Sequence, residues 1–235
     1  MHARSTARSA GPLRLALRRI PFTLGLIGLL VTVAVVTSSH SRPLPDAWLA
    51  RLGFATADLW LLELERIATS AVSTHGGAYF WRALVAVSAI VGSTEWRTGT
   101  LRTAVVFSLS HVGTLLVLAV VVGVGLRSWH PPLAALLDVT RDVGPSAGYF
   151  GCLALACRSF PRRVGLPVAA LVLIGLVIST IAATRGPIPP ADSADVSATI
   201  AHLIAFPLGW LLAITAFAAR TRCASKRAAT IQADE

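Results

Sequence analysis

Asp142-Val143-Gly144-Pro145-Ser146-Ala147-Gly148-Tyr149-Phe150-Gly151 is a polar, turn-forming stretch that runs straight into an apolar segment ending near residue 161. Glycine and proline stop one backbone conformation and start another, so the spacing predicts a helix that begins at Ser146. A second apolar run, about two helices later, carries His202 a turn or two inside its start. A serine and a histidine that enter apolar segments from the same side set the question that the rest of the chain has to answer.

Outward from this stretch, apolar residues dominate. They make up 54% of 235 positions, and mean hydropathy is +0.69, above an ordinary soluble domain. Uncharged apolar runs of about 20 residues match the bilayer hydrocarbon core, and six candidates occur: 20–38, 76–94, 103–126, 145–161, 164–184 and 196–219. The fold expected is all-α, a polytopic six-transmembrane-helix bundle over 20–220. A basic segment (1–19) precedes it and a cytoplasmic tail (221–235) follows. The fourth run is short and glycine-rich, which suits a helix buried by protein. Arg82, near one end of the second, can snorkel to headgroups. The first run follows an arginine-rich segment as a secretory signal would, but its apolar part is too long and lacks a small-x-small cleavage site, so it reads as a span.

The net charge of +10 could suggest nucleic acid, but its placement argues for topology. With both termini cytoplasmic, fourteen of the 21 basic residues fall on inner segments, while the outer segments hold eight of the eleven acids. That is the positive-inside pattern, and it points to a multi-pass protein of the plasma membrane, with the lipid bilayer as partner and no nucleic acid. Arginine-, alanine- and valine-heavy usage suggests a high-GC bacterial source. Cys152 and Cys157 fall in the fourth run and Cys223 in the tail, so no disulfide framework is expected. No metal or nucleotide motif is present, and no cofactor is implied.

The longest connection is the outer loop 39–75. Asp46 is a plausible N-cap for a short segment with Trp48 and Leu52. From Thr56 or Asp58 to about Val72 the pattern predicts one amphipathic helix, lying on the membrane surface or packed over the bundle. The turn after the second run, Gly92-Ser93-Thr94-Glu95-Trp96-Arg97-Thr98-Gly99, is read as a hairpin closed by Glu95 through backbone N–H groups or Arg97.

Gly144-x-Ser146-x-Gly148 has the letters of the G-x-S-x-G elbow of soluble hydrolases, which needs a strand before the serine. The chain has no strand–helix alternation, and that fold is excluded. Gly144 and Pro145 instead bring the loop close, and Ser146 stands at a helix N-terminus, where free N–H groups favour a developing oxyanion. Counting from the span ends places His202 about 9 Å below the rim at ~1.5 Å per residue, a gap that tilt can close. His111, in the third run, lies some 20 Å down by the same count. Depth therefore pairs Ser146 with His202 and leaves His111 aside.

In these features the chain resembles the rhomboid family of intramembrane serine proteases. The resemblance covers about 20–220 and rests on Gly144-Pro145-Ser146 opening the fourth run, Phe150 four residues on, His202 followed by Ala205 and Gly209, and Glu95 with Gly99 in the turn after the second run. It implies a Ser146–His202 catalytic dyad near the outer face. Gly144 and Ala147 would support the oxyanion loop, and Phe150, Ala205 and Gly209 would pack the histidine helix. The substrates implied are transmembrane proteins cut near the outer interface. Two positions depart from the pattern. The family's H-x-x-x-N donor pair falls at Tyr79 and Ala83, with His75 one turn above as a possible substitute, and Ala147 stands where glycine is frequent. The alternative that the resemblance allows is a catalytically inactive relative that binds membrane clients. A solute channel is disfavoured, because paired intramembrane charges and matched broken helices are missing.

Overall fold

The structure, a computed structural model, describes residues 17–233, with side chains through residue 215. Most of the expected basic segment 1–19, the last two residues of the tail and the side chain of Cys223 lie outside the described residues. The described chain is helical, and two isolated bridges, Pro43 with Gly76 and Phe54 with Asp142, are its only extended pairings.

In chain order the helices are α1 (Pro21–Val36), α2 (Asp46–Leu52), α3 (Thr56–Trp60), α4 (Glu65–Ala71), α5 (78–98, with a π-helical Val87–Val91 in its middle), α6 (Thr100–Trp129), α7 (Pro131–Val139), α8 (Ser146–Ser159), α9 (Arg162–Ala183) and α10 (Ser193–Ala233). Three segments are long and apolar enough to cross a membrane: Thr100–Trp129, Arg162–Ala183 and Pro190–Thr215. The other three apolar helices are limited in different ways. α1 has 16 residues and α8 has 14, and α5 carries Arg82, Glu95 and Arg97. The outward face of α9 is apolar. Leu171, Ile174 and Ile178 are 69, 55 and 61% exposed, a surface that water penalises and lipid does not.

The core is built on α8. Ala147, Gly148, Gly151, Cys152, Ala154 and Leu155 are all buried, because small side chains let neighbouring backbones close in. A Cβ at Gly148 would stand 2.5 Å from the Phe107 ring of α6, and one at Gly209 of α10 would stand 2.6 Å from the Gly151 carbonyl oxygen. α8 is thus wedged between α6 and α10. Cys152 and Cys157 are buried free thiols.

Glu95 does not close its own hairpin. Its carboxylate, 1% exposed, reaches α1, where Oε1 accepts the Phe22 N–H at 2.9 Å and Oε2 accepts the Thr23 N–H at 2.8 Å and the Thr23 hydroxyl at 2.7 Å. Those N–H groups are the orphan donors of a helix start, and a carboxylate there also complements the helix dipole. The turn after α5 is instead made by Gly99, at φ 92°.

The connection between α1 and α5 corrects two expectations. Asp46 is the first helical residue and Pro45 the N-cap, with no side-chain capping bond. The single helix expected over 56–72 is broken into α3 and α4. Glu63 N–H bonds to the Asp58 carbonyl at 3.0 Å and Leu62 N–H to Leu59 at 3.3 Å, while Leu62 sits at φ 61°. This is a Schellman ending with leucine in place of the usual glycine, so the sequence carries no stop signal. The break is held by Asp58, 1% exposed, which accepts Ala55 N–H and pairs with both Arg141 nitrogens, at 2.7 and 3.2 Å.

Candidate active site

The helix that starts at Ser146 is aimed by its loop. Phe54 and Asp142 exchange backbone hydrogen bonds at 3.0 Å in both directions, and Gly144 N–H donates to the Ser70 carbonyl at 2.9 Å. Asp142 Oδ1 accepts Val143 N–H at 2.8 Å. Pro145 has no N–H, so the first free backbone donors are those of Ser146, Ala147 and Gly148, which have no intrahelical acceptor. A Cβ on Gly144 would meet Ser146 Oγ at 3.6 Å, so the absence of a side chain there leaves the hydroxyl uncovered.

His202 comes to the same place through the α8–α10 crossing. From the Gly151–Gly209 contact, Ser146 is five residues back along its helix and His202 seven along its own, or about 7.5 and 10.5 Å at 1.5 Å per residue. Both helices run away from the site in the same sense. Ala205, fully buried, and Gly209 keep α10 tight on α8. The His202 ring stacks on Phe150 with centroids 4.4 Å apart and planes at 30°. Its Nε2 is buried and has no hydrogen-bond partner among the described residues.

Ser146 and His202 line one cavity of about 360 Å³, together with His75, Tyr79, Ala83 and Asp142. The chain matches no family model, no curated protein and no solved structure. What the cavity can do must be read from its own residues.

Asp195, Thr199 and His202 also line it. Their i, i+4, i+7 spacing puts them on one stripe of α10, a signal that the sequence carried and that periodicity alone could have found. His75 is committed: its Nε2 lies 2.9 Å from Asp142 Oδ1, and Tyr79 meets its ring edge-on at 5.8 Å. Burial pushes the His75 pKa down, but the hydrogen bond and charge of Asp142, with the charge of Asp195, outweigh it, and the net shift is upward from 6.5. Arg82 lies over the Tyr79 ring at 5.6 Å and also reaches the cavity. His111 is not in the cavity wall. It is buried at 4% exposure and bonds α4, in the connection between α1 and α5. Among the described residues no group of three or more His, Cys, Asp or Glu side chains is placed to hold a metal ion.

Proposed function

We propose that this chain is a rhomboid-like intramembrane serine protease, a six-span protein of the plasma membrane with both termini cytoplasmic. Its Ser146–His202 dyad faces the outer side. The observation that carries the reading is the shared cavity, lined by a serine at an open helix N-terminus and by a histidine whose Nε2 is buried and unpartnered. With its proton on Nδ1, His202 takes the Ser146 hydroxyl proton at Nε2, and Oγ attacks the substrate carbonyl carbon. The Ser146 and Ala147 N–H groups receive the oxyanion. His202 returns the proton to the leaving amine, and water then hydrolyses the acyl-serine. Phe150 stacks the imidazole in the place where a third polar residue would otherwise orient it.

Substrates are transmembrane segments with small or helix-breaking residues near the outer interface, where the backbone can unwind into the cavity. Turnover is slow, because oxyanion donation comes from backbone alone, and each missing donor typically costs ~10²–10³ in rate. A second reading, a non-enzymatic binder of membrane clients, is favoured by two specifics: His202 Nε2 has no bond to Ser146 in this state, and His75 is held by Asp142. Catalytic hydrogen bonds often tighten only when substrate is bound.

The two readings separate in liposomes that hold the purified protein and a single-span reporter with a Gly-Ala-rich outer end. The protease reading expects a cut near the outer interface that disappears in both Ser146→Ala and His202→Ala. Crosslinking of the reporter without any cut, unchanged in those variants, would establish the binder instead.

A further inference from the structure

Resting on the reading of Ser146 as nucleophile, we propose that His111 is a positioning residue for it, acting through the outer connection and not by contact. His111 Nε2 lies 3.0 Å from the Ile67 carbonyl oxygen and 3.3 Å from Ser70 Oγ. A carbonyl can only accept, so Nε2 carries the proton and donates. The Ser70 hydroxyl donates to the same Ile67 carbonyl at 3.1 Å and is left to accept from the imidazole. The Ser70 carbonyl in turn accepts Gly144 N–H at 2.9 Å, two residues before Ser146. A few short bonds therefore lead from α6 through α4 to the loop that sets where α8 begins.

Packing alone does not explain this histidine. Ile67 and Ser70 are 8 and 3% exposed, so the bond is made away from water. The Nδ1 of His111 is buried with no partner among the described residues, a cost that a leucine would not carry. The return on that cost is the donor at Nε2. α4 has seven residues, too few to hold itself as a helix in isolation, so its place depends on anchors of this kind and on Thr69 Oγ1 donating to the Leu52 carbonyl at 2.9 Å.

The test uses the full chain in detergent with His111→Leu, His111→Asn and His111→Gln. A glutamine amide nitrogen reaches the position of Nε2 and can donate to Ile67, whereas an asparagine nitrogen corresponds to Nδ1 and cannot. Amide hydrogen exchange is followed by mass spectrometry over 65–75 and 142–149, beside the rate of fluorophosphonate labelling. In the Leu and Asn variants exchange should rise by up to about tenfold in both segments, the scale of one lost hydrogen bond, with α9 peptides unchanged. Labelling should slow in the same two variants, and the Gln variant should restore both readouts. The proposal is overturned by unchanged exchange over 142–149, by a uniform rise across the bundle, or by Gln behaving like Asn. Should the Leu variant not fold, the Asn–Gln comparison decides. A wild-type chain that takes no probe would defeat the dyad reading, and the exchange measurement would still decide the link from His111 to Gly144.

Discussion

His202 has one ring face occupied by Phe150 at 4.4 Å and one nitrogen left over. Aromatic stacking of this kind is worth about 0.5–1.5 kcal/mol, and here it fixes the ring plane as well. Phe150→Leu keeps most of the volume and removes the stack. Labelling of Ser146 by a fluorophosphonate should therefore slow by about threefold to tenfold, while thermal stability changes little. The His75–Asp142 pair gives a pH dependence of definite sign. The pKa of His75 in the folded chain is raised above 6.5, so its contribution to stability is complete below 6.5 and is lost as pH rises through the folded value. Melting at pH 6 and pH 8 should differ in that direction in the wild type, and the difference should shrink in Asp142→Asn. An equal pH response in the two proteins would remove the pair from the account.

At the scale of elements, the crossing of α8 and α10 brings Ser146 and His202 to one cavity. Its decisive contact is glycine on glycine, Gly151 against Gly209. Gly209→Ala puts a methyl group 2.6 Å from the Gly151 carbonyl oxygen, so the helices must part. A loss of about 1–3 kcal/mol and slower labelling of Ser146 are both expected, the first read by thermal unfolding in detergent. Small residues three and seven positions after a histidine were legible in the sequence, and so was the turn before Ser146, since Gly144 and Pro145 announce it. The break between α3 and α4 was not legible. Leucine at position 62 takes the left-handed conformation that glycine usually marks, and the partner that stabilises the turn, Arg141, is 83 residues from Asp58. The amphipathic pattern over 56–72 is real, but a long-range ion pair, buried at Asp58 and partly exposed at Arg141, overrides it. The role proposed for His111 was hidden for a related reason: counting residues along α6 gives its position in that helix, not which part of the connection between α1 and α5 packs against it.

For the whole molecule, hydropathy reported the helical class and the apolar stretches, because bilayer thickness imposes length directly on composition. Hydropathy alone reads α8 as a weak span, but its shortness and its glycines marked it as a helix sheltered by protein, and it is the buried centre of the bundle. Glu95 shows what ties that bundle together over distance, with its carboxylate capping α1 across 72 and 73 residues of chain. Glu95→Ala leaves two N–H groups and a hydroxyl without their acceptor, at an expected cost of about 2–4 kcal/mol. Glu95→Gln, which keeps an acceptor oxygen, should lose less. Denaturant unfolding in detergent micelles measures both, and equal losses would mean that packing, and not the cap, is what Glu95 contributes.

The central claim is that Ser146 is activated by His202, and intact-protein mass spectrometry after exposure to a fluorophosphonate tests it most directly. The expected result is one adduct on the wild type, mapped to Ser146 and missing from both Ser146→Ala and His202→Ala. No adduct on a folded wild type, or an adduct that persists in His202→Ala, would contradict the dyad and leave the cavity as a binding site for membrane clients.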